Sequence, residues 1–217
     1  MIDTYRHKGL RKRLVDELKR KGISDEEVLR AIGKVPRHFF FDSSFDQWAY
    51  QDNAFPIDCE QTISQPFTVA FQTQLLKVNP RDKILEIGTG SGYQAAILAE
   101  MGARVYTIER FETLYTKASK ILHTLSYSNI YTFFGDGYKG LPAYAPFDKI
   151  IVTCGATNIP SSLKEQLKIG GLLVIPVGNK DTQHMIRMTR LTDQKYQEET
   201  FAEFRFVPFL KGVEKSR

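Results

Sequence analysis

The pattern of apolar and polar residues is most regular in the later part of the chain. From Asp82 onward, short apolar runs alternate with segments in which apolar residues recur every three or four positions. Runs of the first kind are typical of buried strands, and segments of the second kind are typical of amphipathic helices. Strands are predicted over 83–87, 104–108, 130–134, 148–153 and 172–177, and helices over 93–101, 111–126 and 161–169. This alternation predicts an α/β fold with βαβ units, a doubly wound and mostly parallel sheet, and right-handed crossovers.

Both ends of the chain depart from this alternation. Near the C-terminus, 185–191 and 200–208 have no helix between them and predict an antiparallel end to the sheet. Near the N-terminus, the spacing predicts one helix ending near Gly22 and others over 25–33 and 67–77. The segment 36–66 is aromatic and irregular, so we expect it either to pack over another part of the chain or to cover a site. We therefore predict N-terminal helices and a substrate or lid segment in 1–80, packed on a core in 81–217 as effectively one domain.

Composition and charge narrow the class of protein. The 217 residues are 42% hydrophobic and 25% charged, as expected for a globular protein. No apolar run approaches the ~20 residues that span a bilayer, and the N-terminus lacks an apolar signal core. The net charge is +5, and residues 1–21 account for all of it through their surplus of basic side chains. We expect these side chains to form a solvated helix face rather than a nucleic-acid site. Cys59 and Cys154 have no metal or redox spacing, so we expect a cytoplasmic protein without a bound metal or a structural disulfide. From the apolar runs and the charge distribution, we expect neither a membrane nor a nucleic-acid partner.

The strongest motif of the chain lies in residues 83–93, with the sequence KILEIGTGSGY. A predicted strand ends there, a glycine-rich turn follows, and a predicted helix begins at once. Glycines in such a turn allow a ligand to approach the backbone closely. A dinucleotide fingerprint would need its third glycine at position 93, which is Tyr93, and the Gly-Lys-Ser/Thr of a phosphate loop is absent. The predicted ligand-binding residues of the turn are Gly88, Thr89, Gly90, Ser91 and Gly92.

Three carboxylates accompany this turn at the ends of predicted strands. Glu86 precedes the first glycine by two residues, Glu109 ends the next strand, and Asp136 follows the third strand, next to Gly137. A carboxylate at the position of Glu109 can bind both hydroxyls of a ribose, and Asp136 with Gly137 is placed for an adenine. Glu86 would repel a pyrophosphate but suits a cationic ligand. The set predicts S-adenosylmethionine, although carboxylates at strand ends also serve as plain helix caps.

Six segments of the chain resemble the protein-L-isoaspartate O-methyltransferase family. They are 61–66 (QTISQP), 85–96 (LEIGTGSGYQAA), 135–137 (GDG), 145–153 (APFDKIIVT), 170–178 (GGLLVIPVG) and 205–208 (RFVP). The resemblance extends from about residue 8 to residue 212. The glycine turn indicates only the methyltransferase superfamily, whereas 61–66 specifies the family. The resemblance implies a Rossmann-like class I methyltransferase fold with added N-terminal helices.

The resemblance also implies a reaction and the residues that take part in it. The expected activity is methyl transfer from S-adenosylmethionine to the carboxylate of L-isoaspartyl residues in damaged proteins and peptides, by a monomeric repair enzyme. The Ser64 hydroxyl would bind the substrate carboxylate, with Thr62, Ile63 and the backbone near Val207 as further substrate contacts. Carboxyl groups with a pKa of about 4 are already ionised near neutral pH, so no general base is needed. Ser64 could alternatively serve as the N-cap of the helix that follows Pro66.

Two alternatives from other functional classes remain open. A methyltransferase acting on RNA or a small molecule would share the glycine turn, although the Asn/Asp-Pro-Pro-aromatic loop of amino-group methylation is absent at 153–156. A non-catalytic S-adenosylmethionine-binding regulator would keep the turn without needing Ser64. The chain also departs from the family at 58–60, where Asp-Cys-Glu replaces glycines, and at Cys154–Gly155, where alanines are usual.

Overall fold

A seven-stranded sheet lies at the centre of the protein. The computed structural model describes residues 2–216, apart from the side chains of Ser43 and Ser44. In chain order the strands are β1 (Phe55–Pro56), β2 (Thr62–Ile63), β3 (Lys83–Ile87), β4 (Arg104–Glu109), β5 (Ile130–Phe134), β6 (Phe147–Val152), β7 (Leu167–Gly178), β8 (Gln183–Arg190) and β9 (Tyr196–Phe204). The helices are α1 (Tyr5–Arg20), α2 (Glu26–Lys34), α3 (Pro66–Leu76), α4 (Tyr93–Glu100), α5 (Glu112–Thr124) and α6 (Ser161–Glu165). The large sheet has the order β5-β4-β3-β6-β7-β8-β9, and β1 pairs with β2 in a separate hairpin.

The strands β5-β4-β3-β6-β7 run parallel, which confirms the predicted α/β fold. Ile84, Leu85 and Ile87 of β3 are at most 2% exposed, as expected for a strand with helices on both faces. From β3 the chain moves outward to β4 and β5, and then returns to the opposite side of β3 at β6. The carboxyl ends of β3 and β6 therefore form a topological switch point, where open α/β sheets bind their ligands.

The strands β7, β8 and β9 form the predicted antiparallel end of the sheet. The helix predicted over 161–169 was wrong at its end, because α6 stops at Glu165 and β7 begins at Leu167. Leu167 is fully buried and pairs with Phe147 of β6, after which the register shifts. Gly170 lies in this irregular stretch with a φ of +80°. The apolar residues that suggested a longer helix thus belong to a bulged strand.

The N-terminal helices pack on the sheet through α3 and α4. Leu14 of α1, Ile32 of α2 and Leu76 of α3 belong to one buried cluster with Ile97 of α4. Of the lysine and arginine side chains in α1, Arg11 alone is buried, and the others are exposed. None of the described helices is long and apolar enough to cross a membrane. The amphipathic pattern of α1 therefore reflects packing against α2 and α3 on one side and solvent on the other.

The aromatic segment 36–66 contains local structure that its irregular pattern did not indicate. It forms two short 3₁₀ turns, Arg37–Phe40 and Ser43–Trp48, followed by the β1–β2 hairpin. Phe40 packs edge-on against Tyr93 at the start of α4, with ring centroids 5.5 Å apart. In the hairpin connection, Cys59 and Glu60 have φ values of 57° and 56°, in the left-handed region that glycine adopts most readily. The segment therefore lies against the helix that follows the glycine turn.

A buried polar cluster joins α1 to the first 3₁₀ turn. The imidazole rings of His7 and His38 have centroids 3.8 Å apart. His38 Nε2 donates to the carbonyl of Ile2 at 3.3 Å, so Nδ1 accepts from the Tyr50 hydroxyl at 2.6 Å. Arg11 donates to the same hydroxyl at 3.0 Å. These partners match a neutral His38 ring, and burial lowers the pKa of His38.

Acid should destabilise the protein through His38. Because its pKa is lowered in the folded state, the unfolded chain takes up this proton first as the pH falls, and the free energy of unfolding decreases below about pH 6.5. His38→Gln can keep both hydrogen bonds without titrating, so its stability should fall less between about pH 7.5 and about pH 5 in chemical denaturation. The exposed His123→Gln is the control. An unaltered pH dependence in His38→Gln would contradict this role for His38.

Candidate active site

The turn after β3 lies at the switch point and is held tightly against β6. Gly88, Gly90 and Gly92 have φ values of 94°, 53° and 90°. A Cβ atom at Gly88 would lie 2.6 Å from the Oγ1 atom of Thr153, which directly follows β6. The same hydroxyl lies 2.7 Å from the carbonyl oxygen of Gly88 and 2.9 Å from that of Ile87. The first glycine of the motif is therefore required both by its backbone conformation and by the close approach of β6.

The carboxylate of Glu109 holds the other side of the turn. Glu109 is 4% exposed, and its Oε2 atom accepts from the backbone N–H of Gly90 at 2.8 Å. Its Oε1 atom accepts from the backbone N–H groups of Arg110 and Phe111 at 2.8 Å and 3.0 Å. Hydrogen bonds to an ionised acceptor are stronger than neutral ones, so the carboxylate ties the end of β4 to the glycine turn.

A cleft of about 770 Å³ lies over these strand ends, and we call it the inner cleft. A Cβ atom at Gly137 would lie 2.5 Å from Ile87 Cγ2, so this position in the wall also requires glycine. The inner cleft is lined by many of the residues predicted from the sequence to bind cofactor or substrate, namely Thr62, Ile63, Ser64, Gly88, Thr89, Gly90, Ser91, Glu109, Gly137 and Val207.

Three other predicted cofactor-binding residues do not line the inner cleft. Glu86 is fully buried, and neither of its carboxylate oxygens has a hydrogen-bond partner among the described residues. Burial raises the pKa of Glu86 to about 8. Asp136 accepts from the backbone N–H of Tyr138 at 2.9 Å and caps the short helix that follows it. A Cβ atom at Gly92 would lie 3.3 Å from Leu122 of α5.

Ser64 lies where the inner cleft meets a second, wider cleft of about 1080 Å³, which we call the outer cleft. Thr62, Ser64, Thr153 and Val207 line both clefts. The outer cleft also has aromatic and charged walls, formed by Phe67, Asp181, Glu203, Phe204, Arg205 and Phe206. A group bound in the inner cleft and a chain bound in the outer cleft would therefore meet at Ser64.

The structure removes the alternative role of Ser64 as a helix cap. The helix α3 begins at Pro66, and its N-cap is Gln65, which makes no side-chain capping bond. The carboxylate of Asp52 instead accepts from the backbone N–H of Phe67 at 2.7 Å. The Ser64 hydroxyl makes no hydrogen bond within the part of the chain that the structure describes.

Residues near the C-terminus complete the inner cleft, and sequence reasoning had identified only Val207 among them. The backbone N–H of Gly155 donates to the carbonyl of Val207 at 2.8 Å. Farther along, the backbone N–H of Glu214 donates to the carbonyl of Arg110 at 2.8 Å. We call residues 207–214 the C-terminal strap, because the chain between these two attachments contributes Pro208, Phe209 and Leu210 to the cleft wall. The strap has no repeating pattern that could have predicted its path.

The two clefts contain hydroxyl, carboxylate and backbone groups. Neither cleft is lined by a histidine of the described chain. Cys154 lines the inner cleft, but burial raises the pKa of its thiol and disfavours the reactive thiolate. The one described group that could hold a metal ion, Asp3 with His7 and His38, lies in the N-terminal cluster and lines neither cleft.

The protein is a Rossmann-like methyltransferase. This class is defined here by the doubly wound sheet, the glycine turn at its switch point and the carboxylate of Glu109 at the end of β4. A family model described as Protein-L-isoaspartate(D-aspartate) O-methyltransferase matches residues 9–214. The chain belongs to this family.

Relatives in bacteria match nearly the whole chain. A protein-L-isoaspartate O-methyltransferase of Christiangramia forsetii is 56% identical over 211 residues, which cover 97% of this chain and 99% of the relative. An enzyme of the same name from Dictyoglomus thermophilum is 48% identical over 97% of this chain and 95% of the relative.

Solved structures have the same fold. A protein-L-isoaspartate O-methyltransferase with 28% identity superimposes with a TM-score of 0.83, over 91% of this chain and 65% of the other chain. A Plasmodium falciparum protein, solved in complex with S-adenosyl-L-homocysteine, has a TM-score of 0.82 and 24% identity, over 93% of this chain and 99% of its own. The second similarity concerns the fold alone.

Raising the pH from about 4.5 to about 8 should destabilise the protein through Glu86. The unfolded carboxyl ionises above about pH 4.5, whereas the folded one keeps its proton up to about pH 8. The free energy of unfolding should therefore fall as the pH rises through this window, by up to about 1.4 kcal/mol per pH unit. Glu86→Gln, which is neutral throughout, should lose this dependence in chemical denaturation, while the exposed Glu198→Gln should retain it. If Glu86→Gln followed the wild-type curve, Glu86 would not be the protonated group.

Proposed function

We propose that the protein transfers a methyl group from S-adenosylmethionine to the carboxylate of L-isoaspartyl residues in proteins and peptides. The observation that carries this proposal is the shared wall of the two clefts at Ser64. An inner site for a small ligand and an outer site for a chain are what a transfer between a cofactor and a peptide requires. Membership of the family supports the identity of the acceptor.

The inner cleft suits S-adenosylmethionine in the character of its walls. The glycine turn, the Glu109 carboxylate and Gly137 all line this cleft. We assign the amino-acid end of the cofactor to the turn Gly88, Thr89, Gly90, Ser91 and Gly92 with Glu86 behind it, the ribose to Glu109, and the adenine end to Asp136 and Gly137. When bound, the cofactor supplies an electrophilic methyl group on a positively charged sulfur.

The acceptor needs positioning rather than activation. An isoaspartyl carboxylate is ionised near neutral pH, so one of its oxygens can form the new bond to the methyl carbon without losing a proton. The bound cofactor would supply the leaving group, a sulfur that keeps the electron pair of the carbon–sulfur bond, so no residue of the chain has to accept it. Ser64 donates a hydrogen bond to the acceptor carboxylate and orients it, while Thr62, Ile63 and the backbone of Val207 hold the peptide beside it. The absence of a histidine from the cleft linings of the described chain agrees with such a mechanism.

The proposal extends to the biological role, the cellular location and the oligomeric state of the protein. The reaction would serve the repair of damaged proteins, and we place the protein in the cytoplasm as a monomer. Both cysteines are free, in agreement with a protein that needs no disulfide. We regard 1–80 as the part that carries the substrate segment and 81–217 as the cofactor-binding part.

The acceptor can be tested with one peptide made in two forms. With labelled S-adenosylmethionine, the isoaspartyl form should become labelled and the normal aspartyl form should not, because only the former presents its carboxylate in the required geometry. Base-labile label in the isoaspartyl peptide would identify a methyl ester. Equal labelling of both forms, or labelling of RNA alone, would refute the proposal.

Ser64→Ala tests the assigned role of the hydroxyl. Turnover of the isoaspartyl peptide should fall by about 10- to 100-fold, because a misplaced acceptor loses most of the benefit of proximity. The Kd of the cofactor, measured by calorimetry, should stay within about threefold, since Ser64 lies at the junction rather than at the glycine turn. Ser24→Ala, at an exposed position in the loop before α2, is the control. Loss of cofactor binding in Ser64→Ala would show that the assignment is misplaced.

A further inference from the structure

The position of Ser64 is determined by its neighbours rather than by its own side chain. Ser64 follows the buried Ile63 of β2 and precedes Gln65, the N-cap of α3. Two backbone elements thus converge on this residue, and the side chain of Ser64 makes no hydrogen bond with the described residues. Whatever anchors the junction between β2 and α3 therefore determines where the hydroxyl lies.

Asp52 provides that anchor from outside both elements. Its side chain is 3% exposed, and its Oδ1 atom accepts from the backbone N–H of Phe67 at 2.7 Å. Its Oδ2 atom accepts from Gln65 Nε2 at 3.1 Å and from Lys21 Nζ at 2.6 Å. The backbone carbonyl of Asp52 accepts from the same Gln65 amide at 3.0 Å. Three of these hydrogen bonds fix Gln65 and Phe67, on the C-terminal side of Ser64, and the fourth ties Asp52 to Lys21.

The negative charge of Asp52 suits this location. The first backbone N–H groups of a helix lack partners within the helix, and the helix dipole places positive potential there. Pro66 has no N–H, so Phe67 carries the first N–H of α3, which Asp52 binds. The carboxylate accepts all its hydrogen bonds from groups that can only donate, which are a backbone N–H, a side-chain amide N–H and an ammonium. The Asp52 and Glu17 carboxylates raise the pKa of Lys21, so this ammonium keeps its charge.

We infer that Asp52 is a positioning residue for methyl transfer, which holds Gln65 and the start of α3 so that the Ser64 hydroxyl faces the junction of the two clefts. This inference rests on the proposed function of Ser64. Asp52 lines neither cleft and touches neither the cofactor nor the acceptor site. It acts through the backbone on either side of Gln65, and its loss should affect the acceptor rather than the cofactor.

The simpler alternative is that Asp52 is only a stabilising helix cap. The chain offers a matched control in Asp25, the N-cap of α2, whose carboxylate accepts from the backbone N–H groups of Glu27 and Val28. Asp25 lines neither cleft. Asp52→Asn and Asp25→Asn both remove one charge from a helix N-terminus. In Asp52→Asn, however, one carboxylate oxygen is replaced by an NH₂ group, which is a donor. If the NH₂ group takes the place of Oδ2, it faces the donors of Gln65 and Lys21, and if it takes the place of Oδ1, it faces the N–H of Phe67.

The experiment compares both variants with the wild-type protein. Asp52→Asn should lower kcat/KM for the isoaspartyl peptide by about 10-fold or more, because small displacements of a positioning group are costly. The Kd for the cofactor should stay within about threefold, and amide exchange at Phe67 should accelerate. Asp25→Asn should leave all three quantities close to wild type. If Asp52→Asn and Asp25→Asn gave the same kcat/KM, Asp52 would be a stabilising cap only.

A second variant covers the case in which Asp52→Asn does not fold. Gln65→Met removes both hydrogen bonds of the Gln65 amide and leaves the bond from Asp52 to Phe67. Gln65 also lines the outer cleft, so a lower kcat/KM for the peptide supports the anchoring role only if amide exchange over 62–68 accelerates as well, with cofactor binding retained. Wild-type kinetics in this variant would overturn the inference. If the wild-type protein itself fails to methylate the isoaspartyl peptide, the proposed function fails. In that case, unchanged amide exchange over 62–68 in Asp52→Asn or Gln65→Met would separately refute the anchoring role.

Discussion

Three backbone N–H groups converge on the carboxylate of Glu109, and the geometry of the site depends on that convergence. The bond from Gly90 joins the glycine turn to β4, while the bonds from Arg110 and Phe111 fix the chain as it leaves that strand. Thr153 braces the same turn from β6 through a close contact with Gly88. Without this clamp from both sides, a turn with three left-handed residues would have many conformations available, since glycine restricts its backbone so little. The hydrogen bonds from both sides hold the turn in one conformation, and the turn in that conformation forms the floor of the inner cleft.

A rigid floor of this kind matches a reaction in which the protein contributes little chemistry of its own. The acceptor carboxylate is already ionised and the cofactor already carries the leaving group, so neither requires proton transfer. What remains is to align the acceptor oxygen with the carbon–sulfur bond of the cofactor and to exclude water from the site. The residues at the junction of the clefts, Thr62, Ser64, Thr153 and Val207, come from three separate places in the chain. Precision at this junction therefore depends on long-range contacts rather than on one reactive side chain.

The sequence predicted those features that repeat or that lie within a few residues of each other. The βαβ alternation, the switch-point location of the glycine turn and the antiparallel end all follow from local periodicity and turn chemistry. Local reasoning was wrong for the end of α6, because the pairing of Leu167 with Phe147 outweighed the helical pattern. It also could not find the cap of α3, which comes from Asp52 rather than from Ser64 or Gln65. Glu86 shows the same limit, since its position in the motif did not indicate that its carboxyl would be fully buried with no hydrogen-bond partner among the described residues.

The C-terminal strap has a consequence for the order in which the site can form. Its attachments at Gly155 and Arg110 join residues synthesised late to strands synthesised much earlier. While the chain is still being made on the ribosome, the sheet from β3 to β6 can assemble, but the wall formed by Pro208, Phe209 and Leu210 is missing. The inner cleft of a nascent chain is therefore open along one side. Its wall becomes complete only after residues 207–214 have emerged and docked, so the newly made protein completes its cleft late in its folding.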